Sequence, residues 1–144
     1  MVNNLIVHRD LKLESIFIKY KNTEKNEYII KLGNYDVSIR LTSLNEKIDI
    51  MVGTPFYMAP EIKTEASYDG KCDLWSLGVL IYFLLFKEFP IKQIPEASVF
   101  EKYDQKSLKA SGNELLDDLI KKLLEKDPRK RINWEQYFEH PFFK

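Results

Sequence analysis

The sequence predicts an α+β fold, with two strands early in the chain and helices after them. Three observations predict it. Residues 16–20 and 28–32 are β-branched and aromatic runs with polar residues between them, which reads as a hairpin with a long turn. Residues 74–86 are apolar except for Ser76 and Gly78. That run is shorter than the roughly 20 residues a bilayer crossing needs, so it reads as a buried helix. Leu115, Leu116, Leu119, Ile120, Leu123 and Leu124 recur at helical spacing.

The elements follow in chain order. Residues 16–32 form the hairpin. Residues 33–61 show no sustained periodicity and read as one long ordered loop, a length that in compact domains tends to be functional. Residues 73–86 form a central helix, apolar nearly all round and therefore expected to be covered on every side. Phe89-Pro90 is expected to end it. Ser111-Gly112-Asn113-Glu114 has the pattern of a capping box opening the next helix, and Asp127-Pro128 is expected to stop that helix. Asp117-Asp118 with Lys121-Lys122 at i, i+4 spacing reads as a solvated face. Residues 134–138 give a last short helix, and His140-Pro141-Phe142-Phe143 an aromatic plug.

Composition bounds the function. A chain of 144 residues with 44% hydrophobic residues suits one domain with a packed core. The 22 basic and 22 acidic residues cancel, which gives no electrostatic case for nucleic acid or an anionic membrane as partner. Cys72 is alone, which rules out an intrachain disulfide framework and a cysteine metal cluster. Met1-Val2-Asn3-Asn4 lacks the basic start of a signal peptide. The expected setting is intracellular and cytoplasmic.

Five motifs then stand in order. Val7-His8-Arg9-Asp10-Leu11-Lys12-Leu13-Glu14-Ser15-Ile16-Phe17 comes first, and Gly33-Asn34-Tyr35-Asp36 follows. Next are Gly53-Thr54-Pro55-Phe56-Tyr57-Met58-Ala59-Pro60-Glu61 and Asp73-Leu74-Trp75-Ser76-Leu77-Gly78-Val79. Asp127-Pro128-Arg129-Lys130-Arg131 with His140-Pro141-Phe142-Phe143 closes the series. Together they resemble the C-terminal lobe of a eukaryotic Ser/Thr protein kinase across the whole chain. On this resemblance residues 8–15 are the catalytic loop, 34–61 the activation segment and 96–143 the late helices. The chain is then a partial kinase domain, 1–144, with the N-terminal lobe absent. No glycine-rich loop, no Val-Ala-Ile-Lys strand and no partner glutamate are found in it.

The resemblance implies roles residue by residue. Asp10 is the catalytic base and Lys12 the neighbour that offsets charge on the transferred phosphoryl group. Ser15 and Asn34 stand at the family's two metal positions, where it has Asn and Asp. Asp36 replaces the glycine of Asp-Phe-Gly. ATP and Mg²⁺ are the implied cofactors, yet Mg²⁺ prefers carboxylates and this chain offers none at either position. Phe17 lies where the family has an aliphatic residue beneath the adenine, so it crowds the nucleotide pocket. His8, Tyr35 and Asp73 are structural, tying the loop to the central helix, and a buried Tyr35 hydroxyl would need a partner. Glu61 and Arg131 are an internal ion pair. Arg9, helped by Arg40, is a contact for phosphate on Thr42, Ser43 or Thr54, although Thr54 is the better partner for Asp10 and Lys12. The expected function is a catalytically impaired pseudokinase acting by protein interaction or allostery. The alternative is a truncated piece of an active Ser/Thr kinase. Either way the implied partner is a protein, with the N-terminal lobe as a possible missing one.

Overall fold

A computed structural model describes residues 4–22, 27–43, 46–92 and 97–144. The hairpin's tip at 23–26 and the expected start of the late helices at 96 lie outside the described residues. The architecture is α+β. Strand β1 (Ile6–Val7) pairs antiparallel with β4 (Ile39–Arg40), with Val7 opposite Ile39. Strand β2 (Ile16–Asn22) pairs antiparallel with β3 (Glu27–Leu32), with Ile18 opposite Ile30 and Tyr20 opposite Tyr28. Five helices follow: α1 (Pro60–Thr64), α2 (Cys72–Phe86), α3 (Ala97–Glu101), α4 (Glu114–Leu123) and α5 (Trp134–Phe138).

The core is built round α2. Leu74, Trp75 and Val79 are sealed from water, as are Leu119, Leu123 and Leu124. Each such side chain stabilises the fold by about 1.5–3 kcal/mol relative to exposure. Helix α4 presses on α2 at Gly78. A Cβ there would lie 2.8 Å from Cβ of Leu123 and 3.0 Å from a Leu124 methyl, so only glycine allows this approach. Phe100 of α3 packs edge-on against Trp75, with centroids 6.1 Å apart.

An ion pair locks α1 to the segment before α5. Arg131 donates from Nη1 to Glu61 Oε1 at 2.6 Å and from Nη2 to Oε2 at 2.8 Å. Both side chains are buried, at 0% and 1% exposure. The other donors are satisfied too: Nε reaches the Glu125 carbonyl at 2.9 Å and Nη1 the Lys71 carbonyl at 3.1 Å. The guanidinium also lies 5.2 Å from the Trp75 ring centroid.

Several sequence expectations need correction. Residues 33–61 are not only loop: they hold β4, a 3₁₀ turn (Pro55–Tyr57) and the start of α1. Two-residue strands are too short to leave a periodic signal. Helix α2 is not covered all round, because Leu84 and Leu85 in its last turn are 45% and 42% exposed. It ends at Lys87, ahead of Phe89-Pro90, by turning left-handed at φ 56°. The cap of α4 is Asn113, whose side chain accepts from Leu116 N–H, so Ser111 and Glu114 form no capping box. Helix α4 ends at Leu123, short of Asp127-Pro128. Asp127 instead accepts from Arg129 N–H and its guanidinium, shaping the following turn. The box-type cap sits on α5, where Asn133 and Gln136 exchange bonds. The aromatic plug does not seal the core: Phe142 and Phe143 are 38% and 48% exposed, and only His140 is buried.

Two stability outcomes are expected. Arg131→Ala leaves the Glu61 carboxylate buried and unpaired, at a cost of about 3–5 kcal/mol; a melting temperature equal to the parent's would refute this. Gly78→Ala should cost about 1–3 kcal/mol by overpacking, read from the denaturant midpoint.

Candidate functional site

Asp73, in the first turn of α2, holds the 8–15 loop from below. Its Oδ2 accepts from His8 N–H at 2.7 Å and its Oδ1 from Arg9 N–H at 2.9 Å. Burial pushes the Asp73 carboxyl above its usual range, and these two N–H groups pull the other way. The paired bonds fix Arg9 at φ 65°, a left-handed conformation that a non-glycine residue adopts only under constraint.

The buried His8 ring ties the loop to Gly33, just after β3. Nδ1 accepts from Asp10 N–H at 3.3 Å, which leaves the proton on Nε2 to donate to the Gly33 carbonyl at 2.9 Å. Tyr35 lies against that ring, centroids 5.1 Å apart. Tyr35 is 46% exposed, so the hydroxyl is not the buried group that would require a partner. Ser38 Oγ donates to the His8 carbonyl at 3.3 Å, and Arg9 Nε to the Val37 carbonyl at 2.6 Å. Gly53, at φ 122°, closes the far side: a Cβ there would meet the Arg9 carbonyl oxygen at 2.6 Å. Neither Ser38 nor Gly53 was singled out from sequence. Gly53 carried a signal, as the glycine that opens a motif; Ser38 carried none.

Asp10, Lys12 and Thr54 converge at the mouth of this loop. Lys12 Nζ lies 2.8 Å from Asp10 Oδ2 and donates to Thr54 Oγ1 at 2.8 Å. The Thr54 hydroxyl donates in turn to Asp10 Oδ1 at 2.6 Å. Burial raises the Asp10 carboxyl, but the bonds and charge of Lys12 and the Thr54 hydroxyl outweigh it and hold it below 3.8. The same bond from Asp10 raises Lys12. Asp10 is therefore ionised at neutral pH, with both oxygens engaged. A carboxylate in that state can orient a hydroxyl once Thr54 yields its place.

Ser15 and Asn34, expected from the resemblance at metal positions, both bond to backbone carbonyls. Ser15 is buried, and its hydroxyl donates to the Asp10 carbonyl at 3.1 Å, closing the loop on itself. Asn34 adopts φ 61°, tolerable for asparagine, and its amide donates to the Glu14 carbonyl at 3.1 Å. Asp36 is exposed two residues on. Among the described residues no group of three or more His, Cys, Asp or Glu side chains is placed to hold a metal ion. The residues present do not fit Mg²⁺. Phe17 is half exposed and lies across Gly33, where a Cβ would come within 2.7 Å of its ring.

Arg9 and the residues expected to carry phosphate are only partly brought together. One Arg9 nitrogen, Nη1, is buried without a hydrogen-bond partner. Thr42 is exposed, and its hydroxyl donates to Glu46 Oε2 at 2.6 Å. That contact holds the Glu46 carboxyl below its usual range. Ser43 is exposed beside it, and Arg40 lies on β4.

Comparison with known proteins gives a consistent picture. The family model described as the protein kinase domain matches residues 1–143. The serine/threonine-protein kinase fhkE of Dictyostelium discoideum is 37% identical over 98% of this chain and 21% of its own length. Calcium-dependent protein kinase 3 of Plasmodium berghei is 34% identical over 96% of this chain and 26% of its own. Human serine/threonine-protein kinase ULK3 is 33% identical over 95% of this chain and 29% of its own. The chain thus spans about a fifth to a third of these relatives.

The triad makes a titration test. The Asp10 carboxyl, followed by ¹³C NMR, should titrate below 3.8 and rise in Thr54→Val and in Lys12→Met. Its folded value is depressed, so the contact's contribution to stability is present above the unfolded value and fades as pH falls through the folded one. An Asp10 titration unmoved by both substitutions would count against this reading.

Proposed function

As this chain belongs to the protein kinase family, we propose that it is part of a Ser/Thr-kinase-like domain that has lost metal-dependent phosphoryl transfer and works by protein interaction or allostery. One observation carries this reading: neither expected metal position keeps the family's residue, the one carboxylate of the pair is replaced by Asn34, and both side chains are spent on backbone carbonyls. Ser15 holds the Asp10 carbonyl, and Asn34 holds the Glu14 carbonyl. Phosphoryl transfer depends on Mg²⁺ to bridge the phosphates and neutralise charge, so losing those ligands removes most of the electrostatic stabilisation. What Ser15 retains is the fold of the loop, because a short hydroxyl still reaches the carbonyl that closes it.

A second reading, part of an active kinase acting on protein substrates with ATP, is favoured by the triad. Asp10 is ionised and in contact with both Lys12 and Thr54, the arrangement a base for a substrate hydroxyl needs. Arg9, with a buried unpartnered nitrogen, would then await a phosphate on the 34–61 segment. The carboxylate that chemistry uses is replaced by Asn34. The N-terminal lobe, if supplied by another stretch of polypeptide, would be the first partner to seek.

The metal alone separates the two. Mg²⁺ titrated into the ¹⁵N-labelled chain should leave the Ser15 and Asn34 amides unmoved. The double variant Ser15→Asn, Asn34→Asp should gain a localised, saturable shift there. The purified chain should transfer no phosphate from ATP to a protein substrate. Transfer that disappears in Asp10→Ala would overturn the proposal.

A further inference from the structure

The 3₁₀ turn Pro141–Phe143 is capped by a titratable ring. Pro141 has no N–H, so Phe142 offers the first amide of the turn that needs an acceptor. His140 supplies it: its Nδ1 accepts from Phe142 N–H at 3.3 Å. Asn113 and Asn133 cap α4 and α5 with side-chain oxygens, which accept at any pH near neutral. An imidazole accepts only while it is neutral. The ring itself is 3% exposed. With Nδ1 accepting, the proton of the neutral ring is on Nε2, which donates to Asp118 Oδ2 at 3.0 Å. Lys122 Nζ lies 2.7 Å from the same oxygen and 3.4 Å from Nε2. A cavity of about 340 Å³ runs beside the ring, lined by Lys122, Lys130, Gln136, Glu139, His140 and Pro141. Lys122, Gln136 and Glu139 are exposed, so the cavity gives a proton a path to the ring.

We propose that His140 is a pH-sensitive latch, which releases the Pro141–Phe143 turn when its ring is protonated. The added proton goes to Nδ1, the atom that holds Phe142 N–H, so two donors then face each other in a buried place. Asp118 attracts the charged ring, but that pull is weak. Its side chain is 49% exposed, so water screens it, and Lys122 already occupies the same oxygen and repels the ring. The bond from Lys122, then that from His140, holds the Asp118 carboxyl below its usual range against the effect of burial, so it stays charged while the ring titrates. The other charges lining the cavity, Lys130 and Glu139, are opposite in sign and offset each other. Tyr137 packs its ring on Phe143, with centroids 5.1 Å apart, and burial raises its hydroxyl, so it stays neutral. The closed turn therefore binds one proton fewer than the open one. It is closed at higher pH and opens as pH falls through the titration of the ring. Opening frees Phe142 and Phe143 and removes the wall that Pro141 gives the cavity. The latch is independent of the proposed function and needs neither nucleotide nor metal.

¹H–¹⁵N spectra of the full chain, from about pH 8 to about pH 5, cover the span in which imidazoles change charge. The Phe142 amide shift should move with the His140 Hε1 resonance at one common midpoint. Below that midpoint the heteronuclear NOE of Phe142 and Phe143 should fall. His140→Asn puts a pH-independent acceptor at the cap, so its turn should stay ordered across the range; if that variant does not fold, the titration of the parent chain decides alone. A His140 ring that titrates while Phe142 and Phe143 stay ordered overturns the inference. So does a ring still neutral at the acid end, or a response that follows His8, the other histidine. The same response in His140→Asn overturns it as well. None of these outcomes bears on the Mg²⁺ titration, so the two proposals fail separately.

Discussion

The buried carboxylate of Asp73 is the constraint on which the site depends. It sits in the first turn of the most deeply packed helix and spends both oxygens on the amides of His8 and Arg9. Bonds accepted by charged groups are the stronger class, and removing this carboxylate would leave two backbone amides unsatisfied. The two bonds hold Arg9 in a left-handed conformation. That turn sets the direction of the residues after it, so Asp10 and Lys12 are aimed by a residue 63 positions further along the chain than Asp10.

The 33–61 segment is fastened to the same loop at both ends. Gly33 receives the His8 ring, and Thr54 closes over Asp10 and Lys12. Gly53 admits the Arg9 carbonyl where any side chain would collide. Beyond Thr54 the chain runs into α1, where Glu61 is gripped by Arg131. A loop of this length therefore costs less order than its lack of periodicity suggests, because fixed points divide it into short spans.

Ser15 and Asn34 belong to the same frame. Both side chains donate to backbone carbonyls of the 8–15 loop, Ser15 to Asp10 and Asn34 to Glu14. The backbone network around them is closed by these two bonds. Among the described residues the hairpin's Ile18 and Ile30 are exposed, as are Leu84 and Leu85 at the end of α2.

The sequence alone determined the α+β class, the hairpin's alternation, the apolar central helix and the α4 stripe, because each is written in local periodicity. It determined α5 to the residue, since that helix carries its own cap. It also named the residues that converge at the site, through a resemblance carried by ordered motifs. Tertiary structure decided the rest, for reasons local pattern cannot hold. The end of α2 depends on the left-handed turn at Lys87, and the cap of α4 on which of several polar side chains reaches Leu116. Strands β1 and β4 exist only because two distant dipeptides meet. That the Ser15 hydroxyl donates to the Asp10 carbonyl was decided by packing around Asp10 and is invisible in the order of residues.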